Sequence, residues 1–153
     1  MKNRIFYPGD YPKSVDMALL ILRLAAGAFM LTHGAGKFSK LFGDEPILFA
    51  DPLGLGANLS LALTVFSEVL CSLFIIFGWA TRLSAIPLLI TMAVAAFVVH
   101  AGDGFGKQEL PAMYAVVYLF IAVAGAGKIS IDHWLYQKQT AMQKKEGPVM
   151  VPA

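Results

Sequence analysis

The stretch Leu59–Trp79, LSLALTVFSEVLCSLFIIFGW, decides the fold. It is long enough to cross a bilayer and holds a single charge, Glu68. About 20 apolar residues in a helix span ~30 Å of hydrocarbon. An ionised side chain at the centre of such a helix costs roughly 2.5–3.5 kcal/mol unless it is paired or wetted. Two arginines pose the same problem: Arg23 inside Val15–Gly36, and Arg82 at the head of Leu83–His100. A chain that keeps such charges faces them inward, toward each other or toward a polar cavity.

Working outward, four apolar blocks predict helices over about 15–36, 59–79, 83–100 and 110–128. Pro111 falls in the expected first turn of the last, where a missing N–H is harmless. Backbone groups in lipid must bond within their own segment, so these blocks are helices and not strands. Helices apolar on nearly all sides have no solvent face, which argues against a soluble bundle. The expected architecture is an all-α, four-helix transmembrane bundle, up-down-up-down. It occupies residues 15–136 as one domain, with tails at 1–14 and 137–153. A short interfacial helix through Trp134 is expected after Ser130, which can cap it.

The composition agrees. The chain is 58% hydrophobic and 14% charged, where soluble domains are nearer ~45–50% and ~25%. A formal net charge of +2 without a Lys/Arg run gives no footing for nucleic acid. The lone Cys71 excludes an intrachain disulfide and a multi-thiolate zinc site. The polar, aromatic N-terminus does not read as a signal peptide, so the first helix is expected to remain.

The first connection, Lys37–Asn58, is long for a small bundle. Ile47, Leu48, Phe49, Leu53 and Leu55 can dip into the interface, and DPLGLG has turn chemistry. It reads as an ordered cap over one end of the bundle or as a loosely tethered interfacial loop.

Polar residues form two candidate groups. Arg23, Gly27, Gly34 and Lys37 share about one face of the first helix, with His33 at its edge. Thr64, Glu68 and Ser72 follow at helical spacing on the second, with Ser67 and Cys71 alongside. Arg23 and Glu68 lie at similar depth, so an Arg23–Glu68 pair is expected, either fixing helix register or exposing a titrating carboxylate. The second group is at the far end: His33, Lys37, His100 and Glu109, under the first loop as a lid. A metal site from His33, His100 and Glu109 lacks a close ligand motif, and none is expected. A proton relay or quinone-headgroup site suits these residues better. Arg82 reads as a snorkelling, topology-setting residue. Tyr114, Tyr118, Ile121 and Gly125 share a face of the fourth helix. GAGKIS is no phosphate loop, because no strand precedes it and GxxxxGK[ST] is incomplete. Ser, His and Asp spacings specify no catalytic triad.

Arg23, HGAGK (His33–Lys37), Glu68, GWATR (Gly78–Arg82), Glu109 and GAGKISID (Gly125–Asp132), in this order, resemble the DoxX family of small bacterial four-helix membrane proteins. The ending is similar to the family's GxGxxSxD, matched by Gly125, Gly127, Ser130 and Asp132. The resemblance implies a multi-pass protein of the bacterial inner membrane, associated with thiosulfate:quinone oxidoreduction or redox homeostasis. It implies at most a subunit of an oxidoreductase, with quinone as its non-covalent cofactor. The candidate partners are the bilayer, a soluble redox or sulfur-metabolism protein, and further copies of the chain. A single thiol cannot relay two electrons by disulfide exchange, so redox chemistry needs the quinone, a partner, or both. Two other classes remain open: a small-solute or proton-coupled transporter, and a non-catalytic anchor for soluble partners.

Lys and Arg set the expected orientation. Lys2, Arg4, Lys13, Arg82, Lys128, Lys138, Lys144 and Lys145 fall on one side, and only Lys37, Lys40 and Lys107 on the other. Both termini should be cytoplasmic. On a Cys71→Ser background, a cysteine near Asp44 should label with an impermeant reagent applied outside, and one near Lys144 should not. The reverse pattern inverts the assignment.

Overall fold

Hydrocarbon leaves a backbone amide no partner but its own helix, and the chain complies. The computed structural model describes residues 6–145, which form five helices and no strand. These are α1 (Lys13–Leu41), α2 (Ala57–Phe77), α3 (Thr81–Val99), α4 (Phe105–Ala124) and α5 (Ile131–Lys145). Lys2, Arg4 and the last part of the C-terminal tail, which enter the charge assignment, lie outside the described residues.

Three helices, α1, α2 and α3, are long and apolar enough to cross a membrane. Expectation placed four there. α4 is 20 residues long, but Lys107, Gln108 and Glu109 fall within its first turns and dilute its apolar character. It starts at Phe105 rather than near 110, so Pro111 sits in its second turn. It ends at Ala124 rather than 128, because Gly125 leaves helical geometry with φ 90°. α1 extends past Gly36 to Leu41, carrying Lys37 on a helical turn. The short interfacial helix expected near Trp134 continues to Lys145.

Helices α1 to α4 run antiparallel in succession. Along α1 the contacts descend α2: Arg23 meets Ile75, Gly27 faces Ser72 and Ile76, and Gly34 faces Glu68 and Val69. The two glycines make that approach possible. A Cβ at Gly27 would lie 2.5 Å from Ile76 Cγ1, and one at Gly34 2.7 Å from Val69 Cγ2. Small residues of this kind are how membrane helices pack closely. α4 crosses α1 with Tyr118 by Ala26 and Tyr114 by His33, and packs most extensively along α3. Met30, Ile75, Leu88, Tyr118 and Ile121 form the buried centre. Phe29, Leu63, Ile90, Val116 and Val123 point outward. An apolar belt of this breadth is a liability in water and a fit to lipid.

Helix ends are closed by side chains from elsewhere in the chain. Each helix leaves N–H and C=O groups without internal partners. Arg23, fully buried, donates to the Ile75 carbonyl at 3.1 Å and to the Ile129 carbonyl at 2.6 Å, closing the end of α2. Asp132 accepts the Ala80 and Thr81 N–H groups at 2.7 and 2.9 Å, closing the start of α3. Arg82 donates to the carbonyls of Ala122, Val123 and Ala124 at 2.6–3.0 Å, closing the end of α4. This corrects the expectation that Arg82 merely snorkels: its guanidinium is engaged with backbone. Asp16 accepts the Lys128 N–H at 2.9 Å. Ser130 accepts the His133 N–H at 3.2 Å, the expected cap of α5. Gly78 takes the left-handed turn that ends α2, with φ 67°. A Cβ there would lie within 2.2 Å of the Arg23 guanidinium.

Removing Arg23 leaves the Ile129 carbonyl without its partner and takes one of two from the Ile75 carbonyl, which also accepts the Gly78 N–H at 3.2 Å. An unpaired buried acceptor costs about 1–3 kcal/mol, so Arg23→Met should lower stability in detergent by about that much in total. Arg23→Lys should recover only part, because an ammonium lacks the planar fork that serves two acceptors at once. Full recovery by lysine would show that charge, and not capping geometry, matters at this position.

Candidate functional site

Glu68 lies in a wide, π-helical turn of α2 spanning Phe66–Cys71. Wide turns of this type recur at functional sites because they turn a side chain off the regular helical face. The Glu68 side chain is only 2% exposed. Both its oxygens accept hydrogen bonds from Lys37 Nζ, at 2.5 and 2.7 Å. The Lys37 side chain is 32% exposed, so the ammonium links the buried carboxylate to the protein surface.

The expected Arg23–Glu68 pair does not form. Gly34 is the α1 residue that faces Glu68. Lys37 is less than one turn away and its stem can reach back. Arg23 is eleven residues away from Gly34, or ~16 Å along a helix axis. It spends its donors on the carbonyls of Ile75 and Ile129 instead.

The ion pair separates two cavities. One, of about 350 Å³, lies between α2, α3 and the first loop, and is lined largely by carbon: Phe49, Leu53, Leu55, Leu63, Ile90 and Val94 surround it. The other, of about 340 Å³, lies between α1, α3 and the start of α4, and is the more polar of the two: its walls mix Met30, Met92, Leu110 and Pro111 with His33, His100, Lys107 and Tyr114. Lys37, Glu68, Ala95 and His100 border both. A second wide turn, Ala95–Val99, ends α3 beside this boundary.

The first loop covers the apolar cavity and is ordered. The Asp51 carboxylate accepts the Leu55 N–H at 2.8 Å, the Gly56 N–H at 2.7 Å and the Ser60 hydroxyl at 2.7 Å. The Ser60 hydroxyl and the Gly56 N–H hold this carboxyl below the usual carboxylate range. Lys40 donates to the Leu48 carbonyl and ties the loop to α1.

His33, Lys37 and His100 border the second cavity together with Glu68. His33 is set edge-to-face against Tyr114, with ring centroids 6.1 Å apart. His100 Nδ1 lies 2.8 Å from Asp103 Oδ2, and Lys107 Nζ lies 3.5 Å from the same oxygen. The bond to His100, followed by the charge of Lys107, holds the Asp103 carboxyl low. Glu109 is not brought in: it is exposed and borders neither cavity. The early start of α4 turns it away. Gly125, Gly127, Ser130, Asp132 and Arg82 gather at the opposite end as the helix-capping cluster. Among the described residues, no group of three or more His, Cys, Asp or Glu is placed to hold a metal ion.

Sequence reasoning missed Lys37 as the partner of Glu68. Its signal was the glycine pair, since Gly27 and Gly34 mark the seam along which α1 meets α2.

A helical membrane protein that encloses a Lys–Glu pair between an apolar and a polar cavity is the class these features define. The chain belongs to the DoxX family, whose family model matches residues 18–101. It is 32% identical to an uncharacterized protein of Haemophilus influenzae, over 76% of this chain and 82% of that one. It is 24% identical to a Bacillus subtilis protein named "Putative oxidoreductase CatD", over 82% of this chain and 92% of that one. It is 27% identical to "Inner membrane protein YqjF" of Escherichia coli, over 82% of this chain and 98% of that one. No solved structure matches the chain significantly.

Truncating either member of the pair should leave an uncompensated charge. Breaking a buried pair costs about 3–5 kcal/mol, and the part-exposed lysine sets the lower end here. Lys37→Met and Glu68→Gln should each destabilise the protein, and their double variant should lose less than the two losses added. Arg23→Met combined with Glu68→Gln should be additive. Thermal unfolding in detergent reads both cycles, and coupling in the second cycle alone would reverse the pairing.

Proposed function

We propose that this protein is a multi-pass inner-membrane subunit in redox metabolism, and that the apolar cavity holds the headgroup of a quinone. One observation carries the reading: a cavity walled by carbon ends on a buried, bidentate ion pair. Small-molecule sites have this make-up, mostly apolar with a few converging polar groups. A free sugar or nucleotide would leave its polar groups unpaired against these walls.

The chemistry follows from the two charges. The Lys37 ammonium donates to a quinone carbonyl oxygen. A Glu68 oxygen accepts from the hydroxyl of the reduced form. Leu63 and Ile90 stand both in the cavity wall and on the outer apolar surface. An isoprenoid tail passing between α2 and α3 would therefore leave directly into lipid. His33, across the pair, is the candidate for proton exchange with water. Glu109 is not, since it stands outside both cavities. Electrons would come from a soluble redox or sulfur-metabolism partner. The name of the Bacillus relative favours an oxidoreductase role, and that of the Escherichia relative favours the inner membrane. With both termini cytoplasmic, the site would lie in the outer half of the bilayer.

Titration of the purified protein in nanodiscs with a soluble quinone analogue should give saturable binding. Lys37→Met, Glu68→Gln and a bulk-adding Thr91→Phe should each weaken it, while Thr140→Ala, far from the cavity, should not. Absence of saturable binding, or binding indifferent to all three substitutions, removes the proposal.

A further inference from the structure

The two cavities meet at the ion pair, and their linings differ in polar share: the second adds His33, Lys107 and Tyr114 to walls that are otherwise largely apolar. The apolar one opens between α2 and α3 toward lipid. The polar one has its mouth at the loop end, where Gly106 and Lys107 stand in the first turn of α4. The groups that share this cavity with the pair are His33 on α1, His100 after α3, and Lys107 and Tyr114 on α4, with Asp103 behind His100.

Among the described residues, no comparable route leads toward the terminus end. Below Glu68, Met30, Ile75, Leu88 and Ile121 are fully buried and contiguous. Tyr118 closes the same layer, its hydroxyl donating to the Ala26 carbonyl at 3.2 Å. Further on, Arg23 is bound to backbone carbonyls. Close packing of this kind excludes water.

We infer that the Lys37–Glu68 pair is wetted from the loop end only, through the polar chamber, so that protons exchanged at the site enter and leave on that side. The access route stands on geometry alone; its use rests on the quinone reading. A proton entering through the chamber forms an O–H bond on Glu68 as Lys37 turns aside. That O–H bond then breaks as one forms on an oxygen of the headgroup that the partner's electrons have reduced. The step is an acid–base transfer and moves no electrons. A membrane-borne ligand and its protons would thus use separate doors.

Single-cysteine variants on a Cys71→Ser background test this in proteoliposomes. Met92→Cys reports the floor of the polar chamber, and Thr91→Cys reports the apolar cavity. Asp44→Cys and Thr140→Cys mark the two surfaces. A charged, impermeant methanethiosulfonate should label Met92→Cys when applied to the side that labels Asp44→Cys, and labelling should be lost from the other side. Thr91→Cys should react with a lipophilic maleimide and not with the charged reagent. Labelling of Met92→Cys from the Thr140 side, or by the lipophilic reagent alone, overturns the inference. Should Met92→Cys fail to fold, Ala95→Cys, which borders both cavities, gives the same readout: charged-reagent labelling from the Asp44 side supports the inference, and its absence there overturns it. The ligand arm is separate. A quinone analogue should protect Thr91→Cys and leave Met92→Cys reactive. Protection of neither would remove the quinone reading while one-sided access still stood.

Discussion

Backbone groups freed at a helix end have nowhere to go in a bilayer, and this constraint organises the whole terminus end of the protein. Three charged side chains meet it. Arg23 closes α2, Asp132 opens α3 and Arg82 closes α4. Each reaches across from a different element, so every cap is also a cross-link. Arg23 joins α1 to α2 and to the backbone carbonyl of Ile129 between α4 and α5. Arg82 joins α3 to α4. Asp132 joins α5 to α3. Satisfying the backbone and fixing the order of the helices are one act. The charges that look costly in the apolar blocks are retained because backbone carbonyls and amides, strong partners at low dielectric, receive them.

Glu68 obeys a different logic. Its partner is a side chain, and the bond sits between cavities rather than at a helix end. A buried ion pair is weak evidence for stability, since desolvation offsets much of its attraction. A pair kept at such a place, in a π-helical turn, points to use. The two wide turns, Phe66–Cys71 and Ala95–Val99, both border the same boundary. Regular helix would point Glu68 elsewhere and move the end of α3 away from it.

The helices were legible because apolar runs of membrane length admit little else. The family and the inward-facing character of Arg23 and Glu68 were legible too. Their partners were not. Two long side chains can each reach several ångströms along a helix, so similar depth does not establish contact. The deciding fact was register, set by the seam of Gly27 and Gly34 against Ser72 and Glu68. That seam puts Lys37 opposite the carboxylate and Arg23 opposite the end of α2. Glu109 misled for a related reason. It was placed at the head of α4, but the helix starts four residues earlier, at Phe105, and rotates it outward. Arg82 was read as a surface anchor because nothing local announces that the carbonyls of Ala122–Ala124 lie within its reach.

The molecule is therefore unequal along its length. At the terminus end, caps tie α1 through α5 together and the buried layer from Arg23 to Ile121 is dense. At the loop end there are two cavities, two wide helical turns and a long connection held mainly by Asp51 and Lys40. Regions with few buried apolar contacts open most readily, and binding residues are commonly carried where a rigid scaffold ends and loops begin. A lipid-borne ligand needs a wall that can part to admit it, and the braced end cannot supply one without breaking a cap. The loop end is built differently: its cover rests on a few polar bonds, and the wide turns of α2 and α3 stand beside the cavities. The bracing of one end is what allows the other to be loose.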